Sequence, residues 1–484
     1  MLLAVVSSLA KAVDSDQQVL HVLNRLAFGP TLEDFNYVKM VGVERYIAEQ
    51  LDPASIDEPI ELRFRLAQIA TFGLGAAELR QLYQLPSVSG PVKPALDEIK
   101  AQERRANLIA REAAEARVLR AVLSRRQLEE VMVNFWFNHF NIFAGEGLEH
   151  IWIGNYEEQA IRPNALGHFR DLLFAVAKHP AMLAYLDNTQ NIGSSNGEHD
   201  RLNENFAREV MELHTLGADG GYSQADVEVL ARVFTGWRIN SSDSSEFPGV
   251  AAVFEGARHD YADKVFLGRP LEARGKAEGE EALAILASSP ATAHHLAFEL
   301  AQYFVDDTPS AALVERLAAR FLATGGDIRE VLRTLFGSSE FWTSAGEKYK
   351  TPYEFVISTA RAGGLPMNNV RPLLAWMSRL DMPLYGCETP DGYKNTAEAW
   401  LSPDSTLRRI AFASAFARGA VPIARETSGD PVLPPIKQSF SVDPKRLETV
   451  FRSILAPETR AVVNMAPPGQ RAALILGSPD FMRR

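Results

Sequence analysis

A chain of 484 residues, 46% hydrophobic and 23% charged, has ample material for a large folded core. Its net charge of −11 argues against nucleic acid as a partner, because neutralising phosphates needs clustered Lys and Arg. A single cysteine, Cys387, excludes an intrachain disulfide and a cysteine-built zinc site, and no apolar run reaches the length of about 18 residues that a membrane span needs.

Leu2 to Ala10 form a short apolar stretch followed by small residues, with no basic segment before it. This reads either as the remnant of a secretory signal or as a plain N-terminal helix. Thr31, with Asp34 three residues on, resembles a capping box ahead of Leu32, Phe35 and Val38. Residues 95–123 read as one long helix with a solvated charged face. RQLEEVMVNFWFNHFNIF (126–143) continues as a deeply buried aromatic helix. Helical patterns recur at 157–186, 204–217, 224–236, 291–305, 310–323, 327–336, 352–363, 370–379, 406–417, 445–454 and 470–476. Gly217 closes one of these and Ser223, with Asp226, opens the next.

Two stretches interrupt the helices. Residues 239–270 read as a surface loop followed by a small β-hairpin, and 419–441 as a long proline-containing loop. LFGSSEF (335–341) and ILGSPDF (475–481) echo one another as a local helix-stop unit. Strand alternation is scarce. The expected fold is mainly α, one large multi-helix domain over 1–484 with a small β-hairpin insertion.

The chemistry concentrates in NENFAREVMEL (203–213). On a helix Asn205, Arg208, Glu209 and Glu212 share one stripe, while Phe206, Val210 and Leu213 form an apolar one. Glu204 and Arg208 are spaced to pair. Glu209 and Glu212, three residues apart, repel unless they are solvated, neutralised by a cation, or share a proton. Three functions fit: paired carboxylates for acid–base hydrolysis, carboxylates and histidines (His139, His214 or His259) around a metal, or a polar-ligand site using Arg208 and the asparagines. The fourth possibility is purely structural, a buried ion network joining helices.

Elsewhere Asp187, Asn188 and Asn191 lie where a helix gives way to a polar loop leading back to this stripe. Asn134, Asn138 and Asn141, with His139, stud the aromatic helix and need partners if buried. The His259–Asp260 pair serves either a site or a turn, and His294–His295 reads as structural. No Gly-x-Ser-x-Gly elbow, Walker loop, dinucleotide fingerprint or His-Glu-x-x-His is present in the sequence.

LNRLAFGPT, FWFNHFNIF, HPAMLAYLDNTQN, NENFAREVMELHTLGADGGYSQADVEVLARVFTGW, ARHDYADKVFLG, TPYEFV and TPDGYKNTAEAWLSP occur in this order. Together they resemble the bacterial domain-of-unknown-function 1800 family over nearly the whole chain. The resemblance implies a largely helical, often exported protein without a settled activity. It points to Asp187, Asn203, Glu204, Asn205, Arg208, Glu209, Glu212, His259 and Asp260. Similar proteins usually carry histidine where this chain has Phe137, which puts in doubt any site needing both that imidazole and His139.

The resulting expectation is a periplasmic or extracellular hydrolase of a carbohydrate-like polymer, with a cytoplasmic location left open by the incomplete signal. Glu209, Glu212 and Asp187 are its catalytic carboxylates. Asn205, Arg208, Glu204, Asn188, His139, His259 and Asp260 bind substrate. No cofactor and no metal ligands are assigned. The alternatives are a non-catalytic envelope protein that binds or escorts a secreted partner, and a metal-dependent carboxylate enzyme.

Overall fold

The computed structural model describes residues 15–83, 96–145, 147, 149–193, 201–240, 252–424 and 440–484. The apolar N-terminal stretch, 194–200 of the loop before the polar helix, 241–251 of the first interruption and 425–439 of the second lie outside them. Among the described residues the chain is mainly helical, with 24 α-helices and two small antiparallel two-stranded sheets. No described helix is long and apolar enough to cross a membrane.

Local sequence accounts for many of the helix ends. Thr31 and Ser223 form the expected capping boxes with Asp34 and Asp226, and Thr351 forms another with Glu354. The echoed heptapeptides build the same device twice. Ser338 Oγ accepts the Phe341 N–H and donates to the Leu335 carbonyl, and Ser478 Oγ does the same with Phe481 and Ile475. Each turn thereby drives its phenylalanine into the core.

The long helix spans Leu96–Leu123 and the aromatic helix Gln127–His139. The expected helix at 157–186 is broken into a π-helical turn at Glu157–Ile161, a 3-10 turn at Arg162–Asn164, and helices Phe169–Ala177 and Pro180–Tyr185. Pro163 and Pro180 supply no backbone donor, and Gly167 lies between them, so one continuous helix cannot form. The polar helix is also shorter than expected, Asn205–Glu212. Gly217 follows it with a φ of 82°.

The single hairpin expected at 239–270 is instead two β-ribbons. Trp237–Ile239 pairs with Ala252–Phe254, and Lys264–Phe266 with Arg269–Leu271. The second turns through Leu267 and Gly268, both at positive φ (49° and 73°), as a two-residue hairpin requires. The Leu267 N–H is held by Asp226 of the helix beneath. Buried apolar side chains from Val19 to Met482 form one contiguous cluster.

Candidate functional site

The Asn205–Glu212 helix buries Phe206, Ala207, Val210 and Met211 and turns its polar stripe outward. Phe206 packs on Phe234, ring centroids 4.9 Å apart. Asn203 positions the helix start: its Oδ1 accepts the Asn205 N–H, and its own N–H goes to Asn191. Arg208 takes the partner that its spacing offered. Its Nη2 lies 2.8 Å from Glu204 and 2.9 Å from Gln224, and Gln224 also donates to Glu204 at 2.8 Å. This closed triangle leaves Glu209 and Glu212 without a described cation or hydrogen-bond partner on their side chains. Both are partly exposed. Burial, then the charge of Glu212, pushes the Glu209 carboxyl above the usual carboxylate range; Arg208 opposes this and Asp391 adds to it.

Asp391 arrives from far along the chain, brought there by Asn138 on the aromatic helix and Asn141 just past its end. Asn138 donates to the Tyr393 carbonyl and accepts the Tyr393 N–H, both at 2.8 Å. Asn141 donates to the carbonyls of Cys387 and Thr389. Gly392 has a φ of 65°, and any Cβ there would overlap the Asn138 carbonyl. Tyr185 binds the same loop through the Glu388 carbonyl at 2.8 Å. Its hydroxyl pKa is raised by burial and by Cys387, Glu209 and Asp391. Four of the sequence motifs therefore meet at one place.

Beside them lies a cavity of about 180 Å³ lined by Asn138, His139, Leu213, His295, Glu299 and the Asp391–Lys394 ion pair, among others. His139 ends the aromatic helix. Its Nδ1 lies 2.7 Å from Glu299 Oε2, and its Nε2 3.2 Å from the His214 carbonyl. Both partners are acceptors. His295 Nε2 lies 3.7 Å from Glu299 Oε1 and 3.3 Å from the Leu213 carbonyl. Burial raises the Glu299 carboxyl pKa, but His139, His295 and Lys394 outweigh it and the net shift is downward. Burial, and then the neighbouring imidazoles of His139 and His295, hold the His214 pKa well below the usual histidine value. His295 and Glu299 are the residues that sequence reasoning passed over; their i, i+4 spacing on a helix was the available signal.

Other expected residues sit elsewhere. Asn188 is buried, donating to the Phe234 and Trp237 carbonyls, so it staples the chain and presents nothing to a ligand. Asp187 is exposed at a φ of 56° and accepts from Gln190. His259 is fully buried, with Nδ1 on the Thr235 carbonyl and Nε2 3.0 Å from Glu278, which also pairs with Lys264. Asp260 pairs with Arg232 at 2.6 Å. These two residues anchor the β-ribbons. Asn205 is exposed on the polar stripe. Phe137 faces away from His139, against Tyr156, Tyr385 and the Arg117 guanidinium. A histidine at 137 would join that cluster and leave the His139 surroundings intact.

The model of one family, described as a protein of unknown function (DUF1800), matches residues 21–483. The chain belongs to the DUF1800 family. No curated protein matches it, and no solved structure does. In this DUF1800 protein FWFNHFNIF, NENFAREVMEL and TPDGYKN each supply residues to the cavity wall, and Tyr185 of HPAMLAYLDNTQN bonds the loop that carries Asp391.

Proposed function

We propose that this DUF1800 protein is an exported hydrolase of a carbohydrate-like polymer, with Glu209 as general acid and Glu212 as base or nucleophile. The observation that carries the reading is the closed Glu204–Arg208–Gln224 triangle, which commits the Arg208 guanidinium's described hydrogen bonds away from the pair. A buried ion network at this helix would have spent Arg208 on Glu209 or Glu212. Burial and the neighbouring carboxylate also push the Glu209 pKa above the usual carboxylate range, the direction that suits an acid donating to a leaving oxygen. Acetal cleavage suits such a pair: one carboxyl protonates the departing oxygen while the other activates water or attacks the sugar carbon.

The test is hydrolysis of a polysaccharide panel by wild-type protein and by Glu209→Gln. Loss of about 10²–10⁴-fold in rate is expected, with the melting temperature nearly unchanged. A wild-type protein that cleaves nothing in the panel sinks the reading and leaves the rival, a protein that binds or escorts a secreted partner.

A further inference from the structure

We propose that His139, His295 and Glu299 form a divalent transition-metal site, of the kind that takes zinc, with its remaining coordination positions open to the 180 Å³ cavity. One ligand atom from each of the three side chains lies within 4.8 Å of the other two. Around an ion with bonds of about 2.1 Å, neighbouring ligand atoms sit about 3.0–3.4 Å apart. Glu299 Oε2 lies 2.7 Å from His139 Nδ1 and Oε1 3.7 Å from His295 Nε2, so each imidazole has a carboxylate oxygen within a few tenths of an ångström of that spacing. Two imidazoles and one carboxylate, with positions left open, are the donor set of catalytic zinc and of non-haem iron.

The surroundings support a cation. His139 faces an acceptor at each nitrogen. Nε2–H is fixed by the His214 carbonyl, the outer-shell bond that metal-bound histidines usually make. An ion in place of the proton between Nδ1 and Glu299 satisfies both. His295 turns Nε2 toward Glu299, and an ion there would take the place of the hydrogen that Nε2 shares with the Leu213 carbonyl. A third imidazole, His214, is 1% exposed, with its ring 6.2 Å from that of His139. Its Nε2 has no hydrogen-bond partner among the described residues, which leaves a ring nitrogen unspent beside the cluster. The nearby ammonium of Lys394 is matched by Asp391 at 2.7 Å, so Glu299 keeps its charge for the ion. Glu58, Glu129 and Glu130 also have ligand spacing, but Glu130 is held by Arg162 and Glu58 by Ser124.

The site stands independently of the carboxylate reading, because it is measured without substrate. Chelator-stripped full-length protein is titrated with zinc by calorimetry. One ion per chain is expected, with Glu299→Gln and His295→Ala each weakening affinity by more than about 100-fold. Wild-type protein that takes up no stoichiometric zinc, or variants that keep its affinity, overturn the proposal. If either variant fails to fold, as judged by circular dichroism, the cobalt-loaded wild type decides. Visible absorption of a nitrogen- and oxygen-ligated ion supports the site, and the spectrum of the hydrated ion refutes it.

Discussion

Two sets of carboxylates in this protein have opposite company. Glu130, Glu157 and Glu158 are met by Arg117, Arg120 and Arg162. Arg162 alone reaches all three, at 2.7, 3.1 and 3.1 Å, while Arg117 and Arg120 take Glu157 and Glu158 at 3.1 and 2.8 Å. Tyr385 donates a further bond to Glu157. Three negative charges face three positive ones, mostly out of water. Glu209 and Glu212 have no such cation, although Arg208 is adjacent in sequence. The buried network that the sequence allowed at the polar helix does exist, but around the π-helical turn. Neutralisation depends on which cations the fold delivers, and like-charge spacing along one helix does not reveal that.

The contrast can be broken from either side. Arg162→Ala should have the largest effect on stability, about 3–5 kcal/mol, because it strands buried carboxylates; urea unfolding measures it. Arg208→Ala should cost no more than about 1 kcal/mol, since its ion pair is partly exposed. That variant removes the charge that lowers the Glu209 pKa, so the alkaline limb of any pH–rate profile should move to higher pH. A limb that stays in place detaches Glu209 from the proton transfer. Glu209→Gln should have the smallest effect on folding and the opposite sign. A carboxyl whose proton affinity rises on folding stabilises the fold only while protonated. That contribution is complete below the unfolded carboxyl's range and is lost as pH rises through the raised folded value. Glutamine should therefore gain about 0.2–0.5 kcal/mol over wild type at neutral pH, the size of a like-charge pair on a helix. Near pH 3 the gain should vanish. Melting curves at both pH values measure it, and a loss of stability at neutral pH would mean an unseen partner for Glu209.

Helix starts were legible because their signals are local: Thr31 with Asp34, and Ser223 with Asp226, need only four consecutive residues. The long helix at Leu96–Leu123 was legible from its unbroken run of helix formers. The partners of Asn138 and Asn141 were not, because they lie about 250 positions away on a loop with no periodicity. Family likeness points to His259 and Asp260 as substrate contacts, yet their side chains bond Thr235, Ala262, Arg232 and Glu278, tying the segment between the β-ribbons to the neighbouring helices. His295 was set aside as structural beside an apolar run, although Glu299 one turn later placed a second ligand-type atom on the same face.

The π-helical turn at Glu157–Ile161 carries a consequence for how this sequence can change over time. Such a turn holds one residue more than an α-helical turn. Deleting that residue would restore ordinary winding and leave the chain after it pointing nearly the same way, because the wide turn is what absorbs the extra residue. Arg162, directly downstream, would then stay on the side of Glu130, Glu157 and Glu158. Deletion of its outward-facing Gln159 should therefore be tolerated far better than substitution of Glu157 or Arg162, even though none of these lines the cavity.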